Sequence, residues 1–199
     1  MNLNLEEQEM KYESVMKELA ATFQNFLEKN EEAFAGALDE IIHRMESGGT
    51  FFIFGNGGSA AQAQHFAAEI VNQFRQERRA LPALALSTDT SVLTSIANDR
   101  EYSDIFSRQV QALARKGDVA VGLTTSGRSN NVIRGLKTAR EKGLFSLILT
   151  GEGGGRTEDF ADVRLAVPSK DTARIQEIHL ILLHLMAEEM ERRLSFIAG

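Results

Sequence analysis

The hydrophobic positions of this chain recur with two spacings, one typical of buried strands and the other of helices. Short apolar runs of about five residues alternate with longer stretches in which apolar residues recur every three or four positions. The short runs predict strands at 50–54, 83–86, 119–123, 144–149 and 163–167. The longer stretches predict helices that end near 74 and 140 and others at 91–97, 103–114 and 172–193. Because apolar strands that alternate with helices form parallel sheets covered on both faces, we expect an α/β three-layer sandwich with a five-stranded parallel sheet.

The first part of the chain is predicted to be helical before any strand begins. Its apolar residues keep the helical spacing over residues 5–47, and Gly48 follows as a stop signal. Asn30, followed by Glu31, predicts the cap of a second helix within this region. We therefore expect one domain over 1–199, with 1–48 as a helical segment. This segment either packs on its own domain or forms an oligomer interface, and the sequence favours neither.

Composition narrows the possible chemistry and partners. The chain has no cysteine, which excludes disulfides, thiolate zinc sites and a cysteine nucleophile. Its formal net charge of −6 disfavours nucleic acid and anionic membranes as partners. No apolar stretch approaches the ~20 residues that span a bilayer, and the N-terminus lacks a signal-peptide pattern, so we expect a cytoplasmic protein.

Two polar loops follow predicted strands and precede predicted helices. Residues 55–59 read Gly-Asn-Gly-Gly-Ser, a pattern that lets backbone N–H groups approach an anion but also suits a tight turn. Residues 124–129 read Thr-Thr-Ser-Gly-Arg-Ser and place four hydroxyls within six residues. One hydroxyl is enough to cap a helix, so four favour a phosphate site. A third glycine-rich stretch, at 151–155, carries an acid and is interpreted as a connection.

Other polar residues lie on predicted helices. His65 and Glu69 are four residues apart on one helix face, which suits either two ligands of a metal or a simple hydrogen bond. Gln176 and His184 lie eight residues apart on the last helix, about 12 Å along its axis, so their side chains would have to lean together to share a metal. Asn98 and Asp99 either bind a sugar hydroxyl or simply end a helix. His43 and His179 are interpreted as surface or supporting residues without an assigned role.

These motifs occur together and in order, and the chain resembles the sugar isomerase (SIS) domain family and, within it, the phosphoheptose isomerases. The resemblance spans nearly the whole chain. It is carried by Gly55-Asn56-Gly57-Gly58-Ser59, His65-Phe66-Ala67-Ala68-Glu69, Ala97-Asn98-Asp99, Thr124-Thr125-Ser126-Gly127 and Arg174-Ile175-Gln176-Glu177-Ile178-His179. It implies a flavodoxin-like sheet and interconversion of sedoheptulose 7-phosphate and D-glycero-D-manno-heptose 7-phosphate, the first step of ADP-heptose synthesis for the lipopolysaccharide core.

The resemblance also implies a homotetramer with active sites between subunits and one zinc ion per subunit. The implied zinc ligands are His65, Glu69, Gln176 and His184. The implied substrate contacts are Asn56, Gly57, Gly58, Glu69, Asn98, Asp99, Thr124, Thr125, Ser126, Ser129 and Gln176, and Ser59 belongs to the same glycine loop. An aldose–ketose isomerase needs a base and an acid, for which Glu69 and His184 are the catalytic candidates.

A non-catalytic relative provides the main alternative. The DnaA initiator-associating protein has the same fold and shares the stretch Leu93-Thr94-Ser95-Ile96-Ala97-Asn98-Asp99-Arg100. At the positions that match Glu69 and His184, that relative lacks the acid and the histidine. Both residues are present here, which favours an enzyme over a protein that binds the replication initiator DnaA.

Overall fold

A computed structural model describes the backbone of residues 5–153 and 160–194 and the side chains of 11–153 and 160–194. The strands are β1 Phe51–Gly55, β2 Ala83–Ala85, β3 Val119–Thr124, β4 Phe145–Thr150 and β5 Val163–Ala166. The helices are α1 Leu5–Glu46, α2 Gly58–Val71, α3 Thr90–Asp99, α4 Ile105–Leu113, α5 Asn130–Glu141 and α6 Thr172–Leu194, and a 3-10 turn spans Tyr102–Asp104. Each predicted strand is found to within one or two residues. Of the stretch at 151–155, residues 154 and 155 lie outside the described residues.

The five strands form one parallel sheet in the order β2-β1-β3-β4-β5. Neighbouring strands are paired in register, with Phe51 beside Val119 and Gly55 beside Leu123. The predicted α/β sandwich with a flavodoxin-like strand order is therefore confirmed. In this order β1 and β3 connect to opposite sides of the sheet, so a crevice opens between their carboxyl ends.

Alternating side chains of the strands pack into two cores, one on each face of the sheet. Phe51 and Ile53 face the core formed with α1, α2 and α6. Phe52 and Phe54 face the core formed with α4 and α5. Both faces are apolar because both are covered, which explains why the strands appear in the sequence as uninterrupted hydrophobic runs.

The N-terminal segment differs from the prediction, because α1 is one continuous helix over Leu5–Glu46. The expected second helix start at Asn30 is wrong. The Asn30 side chain donates to the carbonyl of Phe26, one turn earlier, at 3.0 Å instead of capping a new helix. The apolar stripe therefore continues through this point, and Phe26, Ile41 and Met45 all enter the same core.

Within the described residues, none of the helices combines the length and apolar character that a membrane crossing requires.

Candidate functional site

The glycine loop turns sharply between β1 and α2. Gly57 has a φ of 56°, a backbone conformation that disfavours side chains. At Gly58, a Cβ atom would come within 2.7 Å of the side-chain amide of Gln176, so a larger residue here would require that side chain to shift. The Gln62 amide also donates to the backbone carbonyl of Gln176 at 2.6 Å. The start of α2 is thus held against α6, and Ser59 is buried beneath the loop.

The hydroxyl-rich loop after β3 is not used to cap α5. Ser129 occupies the N-cap position, yet its side chain makes no capping hydrogen bond. Its hydroxyl instead pairs with the Thr124 hydroxyl at 3.1 Å. Ser126 is exposed, and its hydroxyl accepts a hydrogen bond from the Arg128 backbone N–H at 3.2 Å. Capping of α5 therefore does not explain why the loop carries these hydroxyls, and a phosphate site stays the prediction.

A reciprocal amide pair joins the two loops. Asn56 and Asn131 exchange side-chain hydrogen bonds of 2.9 and 2.8 Å. The hydroxyl of Tyr102 donates to Asn56 at 3.3 Å, although its side chain is otherwise exposed. The sequence analysis missed Asn131 and Tyr102, because the strand order β1-β3 brings Asn131 to the first loop and packing of the 3-10 turn on α5 brings Tyr102 there.

Asn98 and Asp99 end α3 as an exposed pair. The Asn98 amide donates to the Asp99 carboxylate at 2.8 Å. Among the described residues, neither side chain has a hydrogen bond to the two loops. The 3-10 turn that follows leads directly to Tyr102, so the pair lies near the crevice along the chain.

Three of the predicted metal ligands gather on α2 and α6. His65 Nε2 lies 3.1 Å from Glu69 Oε1 and 3.0 Å from His184 Nε2, and His184 Nε2 lies 3.6 Å from the same carboxylate oxygen. One ligand atom from each residue falls within 4.8 Å of the others. The Gln176 amide lies beside Gly58 at the start of α2, whereas His65 and Glu69 lie farther along α2 and His184 lies eight residues after Gln176 on α6.

The environment of Glu69 perturbs its ionisation. Its side chain is 13% exposed. Burial raises the pKa of Glu69, while the two neighbouring imidazoles oppose that rise and Glu191 adds to it. The Oε2 atom is buried without a hydrogen-bond partner among the described residues. A carboxylate in this position is poised to accept a proton or a cation.

A ring from the loop after α2 covers His184. The Phe74 ring stacks on the imidazole with centroids 5.6 Å apart and an interplanar angle of 22°. The sequence analysis missed Phe74, since a single aromatic residue after a helix carries no local signal of function. A shallow cavity of about 220 Å³ opens beside His65 and Gln62.

Of the two positions expected for His179, at the surface or in support of other residues, the structure shows the second. His179 is fully buried, and its Nε2 atom lies 3.3 Å from the carbonyl of Thr150 at the end of β4. Burial lowers the pKa of His179 to about 4, although the bond to Thr150 opposes the fall. His179 is therefore a neutral part of the core behind the second loop, whereas His43 is exposed as expected.

Comparisons with known proteins agree with this geometry. The family model of the SIS domain matches residues 15–151. The phosphoheptose isomerase of Geobacter sulfurreducens is 48% identical over 182 residues, which cover 92% of this chain and 90% of that protein. The structure of phosphoheptose isomerase GmhA from Neisseria gonorrhoeae matches with a TM-score of 0.86 and 39% identity over 93% of this chain and 99% of that one. For a phosphoheptose isomerase from Francisella tularensis, the TM-score is 0.88 and the identity 31%, over 93% and 98% of the two chains.

Proposed function

The chain belongs to the SIS domain family and, within it, to the phosphoheptose isomerases, and we propose that it interconverts sedoheptulose 7-phosphate and D-glycero-D-manno-heptose 7-phosphate. It is thus an aldose–ketose isomerase, which we assign to the first step of ADP-heptose synthesis for the lipopolysaccharide core. The observation that carries the proposal is the buried Glu69 carboxylate in contact with the His184 imidazole. The non-catalytic relative lacks both groups.

Proton transfer through an enediol accounts for the reaction. Glu69, as base, removes the proton from C1 of the ketose while the carbonyl oxygen on C2 gains a proton from His184. The resulting enediol loses the hydroxyl proton on O1 to His184, and C2 gains the proton held by Glu69, which gives the aldehyde at C1 and restores both residues to their starting protonation states. Every proton removed is returned, so no oxidant or reductant is needed. The raised pKa of Glu69 makes it a stronger base than an exposed carboxylate.

The two polar loops would anchor the other end of the substrate. We assign the phosphate to the neutral hydroxyls and backbone of Thr124, Thr125, Ser126 and Ser129. We assign the sugar hydroxyls to Asn56, Gly57, Gly58, Ser59, Asn98, Asp99 and Gln176. Fixing the phosphate orients C1 and C2 without contacting them, which lowers the entropic part of the barrier.

The cluster residues also suit zinc. The two Nε2 atoms, 3.0 Å apart, converge on one side of a carboxylate oxygen, and a nitrogen–oxygen donor set is one that zinc prefers. We propose that His65, Glu69 and His184 hold the ion and that Gln176 completes the set, for which its side chain would have to turn from Gly58 toward His184. When bound, the zinc would polarise the substrate carbonyl and stabilise negative charge on its oxygen.

We further propose that the protein works as a cytoplasmic homotetramer with α1 at a subunit interface. Tyr12 and Met16 support this, because these large apolar side chains on α1 are 67% and 63% exposed. Sedimentation equilibrium should give four times the mass of the chain. A monomer at micromolar concentration would contradict the tetramer.

An isomerase assay tests the function directly. Purified protein is incubated with sedoheptulose 7-phosphate, with and without a chelator, and the aldose product is followed by NMR. We expect product from the untreated protein and a lower rate after chelation that added zinc restores. If no product forms under any of these conditions, the isomerase assignment is wrong and the DnaA-binding alternative takes its place. Glu69→Gln protein provides the background rate.

A further inference from the structure

One buried carboxylate holds the loop that follows α2. Glu191, on α6, accepts hydrogen bonds from three consecutive backbone N–H groups, those of Phe74 at 2.9 Å, Arg75 at 2.7 Å and Gln76 at 2.9 Å. The Arg78 Nε atom lies 3.6 Å from the same carboxylate, and the two side chains are only 1% and 3% exposed. Although burial raises the pKa of Glu191, the three N–H groups and Arg78 outweigh it and hold this pKa below its usual range.

The burial of Glu191 and Arg78 has a desolvation cost, so a structural role beyond stability is expected for this pair. Burying a carboxylate and a guanidinium together gains little net stability, since desolvation offsets most of their attraction. A second acid on α6, Glu188, already ties this loop to the helix through an exposed ion pair with Arg75 at 2.6 Å. Anchoring alone therefore does not explain why Glu191 is buried against three amides.

The loop that Glu191 holds contacts two members of the histidine–carboxylate cluster. Phe74 stacks on His184, as described above. Arg78 donates from Nη2 to the backbone carbonyl of Glu69 at 2.8 Å. That carbonyl lies in the last turn of α2, where helix carbonyls lack partners within the helix. Glu191 and the loop residues 74–78 that it holds form a clamp. This clamp contacts the ring of His184 through Phe74 and the end of α2, the helix that carries Glu69, through Arg78.

His184 depends on the Phe74 contact for its orientation. Its Nε2 atom faces His65 and Glu69, and among the described residues no hydrogen bond reaches its Nδ1 atom. The side chain is 38% exposed, so the surrounding core does not fix the ring. The stacked Phe74 ring and the edge contact with the His65 ring, 5.3 Å away, therefore set the tilt of the imidazole together, and Phe74 is the one of the two that lies in the loop held by Glu191.

We propose that Glu191 is a positioning residue, which holds Phe74 against His184 and Arg78 against the end of α2 and so keeps the acid and the base aligned. The catalytic consequence rests on the proposed isomerase function. The geometric consequence does not, because the position of the His184 ring is measurable without substrate.

The test compares Glu191→Gln with the matched control Glu188→Gln, which removes the exposed charge on the same helix. Phe74→Leu, a second test variant, keeps an apolar side chain but removes the ring. Turnover and KM for sedoheptulose 7-phosphate are measured for each. The ring resonances of His184 are recorded by NMR on chelator-treated protein labelled at histidine, with assignment from a His184→Gln variant.

We expect Glu191→Gln to lower kcat about 10-fold or more, with KM changed by less than about 3-fold, because misalignment of reacting groups by a fraction of an ångström has effects of this size. Phe74→Leu should lower kcat in the same direction. In both variants the His184 resonances should move, since Phe74→Leu removes the ring current of Phe74 and Glu191→Gln shifts the ring relative to the imidazole. Glu188→Gln should match the wild type in both measurements.

A folded Glu191→Gln protein with wild-type kcat or unchanged His184 resonances would overturn the proposal. If Glu191→Gln does not fold, Phe74→Leu decides alone, and wild-type kcat in that variant would overturn the proposal equally. If the wild type shows no isomerase activity, the proposed function fails while the NMR comparison still tests the clamp.

Discussion

The two ends of the proposed site are built from different chemistry. At the phosphate end, neutral hydroxyls and amides already pair with one another, as Thr124 does with Ser129 and Asn56 with Asn131. At the cluster end, one carboxylate oxygen faces two imidazoles, and Oε2 of Glu69 is buried without a hydrogen-bond partner among the described residues. The polar side chains named at the phosphate end thus have hydrogen-bond partners within the protein, whereas Oε2 of Glu69 would gain a partner when a substrate or cation binds.

This difference suggests that the phosphate end contributes to substrate binding and the cluster end to the chemical step. A preformed polar turn costs little to maintain and can hold a charged group at a fixed place. A partly desolvated carboxylate costs stability and is retained where chemistry needs a perturbed group. Substitutions at the cluster should therefore reduce turnover, and substitutions at the loops should weaken binding.

Glu69→Gln should have the largest effect. It keeps the size of the side chain but cannot accept the C1 proton, so kcat should fall about 100-fold or more. Steady-state kinetics with sedoheptulose 7-phosphate measures this, with Glu188→Gln as the control carboxylate. Near-normal turnover in the purified variant would remove Glu69 from the chemistry and, with it, the distinction between the two ends.

The buried histidine behind the loops should affect stability, not turnover. The folded pKa of His179 is about 4, below its unfolded value of 6.5, so the unfolded state binds more protons between these values. Stability from this group is therefore lost as pH falls from about 6.5 toward 4, by about 2 kcal/mol at pH 5. His179→Gln should remove that part of the pH dependence. Urea unfolding at pH 7.5 and pH 5, at one protein concentration, compares the two proteins, and equal pH dependence would contradict the prediction.

Ser126→Ala should act on binding. The hydroxyl is exposed and outside both cores, so its loss should leave the fold intact. Removal of one hydrogen bond to a charged group predicts a rise in KM of about 10-fold with kcat changed much less. Ser91→Ala, an exposed serine on α3, is the control. A fall in kcat without a rise in KM would show that the loop does more than anchor the substrate.

Arg128→Ala should have the smallest effect. The Arg128 side chain is exposed, and the loop can hold an anion through its hydroxyls and N–H groups. We expect KM to rise about 2-fold at low ionic strength and the difference to vanish in high salt, as for other screened surface charges. A large, salt-independent rise in KM would mean that the guanidinium contacts the phosphate directly.

The strands and the hydroxyl loop could be predicted from the sequence because their signals are local. Phe51 and Phe52 face different cores, yet both appear in one apolar run, and that run alone indicates a doubly covered strand. The break at Asn30 was predicted wrongly for a similar local reason. Asn30 has the preference of a helix cap, but the apolar stripe of α1 continues past it, and burial of that stripe keeps the helix unbroken.

The cluster of His65, Glu69 and His184 could not be predicted from local sequence signals. Local spacing pairs His65 with Glu69, but His184 joins them only because α2 and α6 pack together. The family resemblance supplied that third residue. Neither the spacing nor the resemblance indicated Glu191, because an acid near the end of an amphipathic helix looks like any solvated charge until its three amide partners are seen.

The close approach of Gln176 to Gly58 fixes the position of α6 relative to the glycine loop. On this helix Gln176 lies beside the glycine loop, and His184 follows eight residues later, a rise of about 12 Å. A rigid helix does not shorten to fit a smaller ligand. In the proposed binding mode, we expect a sugar phosphate with fewer carbons to reach either the phosphate loop or the pair Glu69 and His184, but not both at once, so the site should discriminate between substrates by chain length.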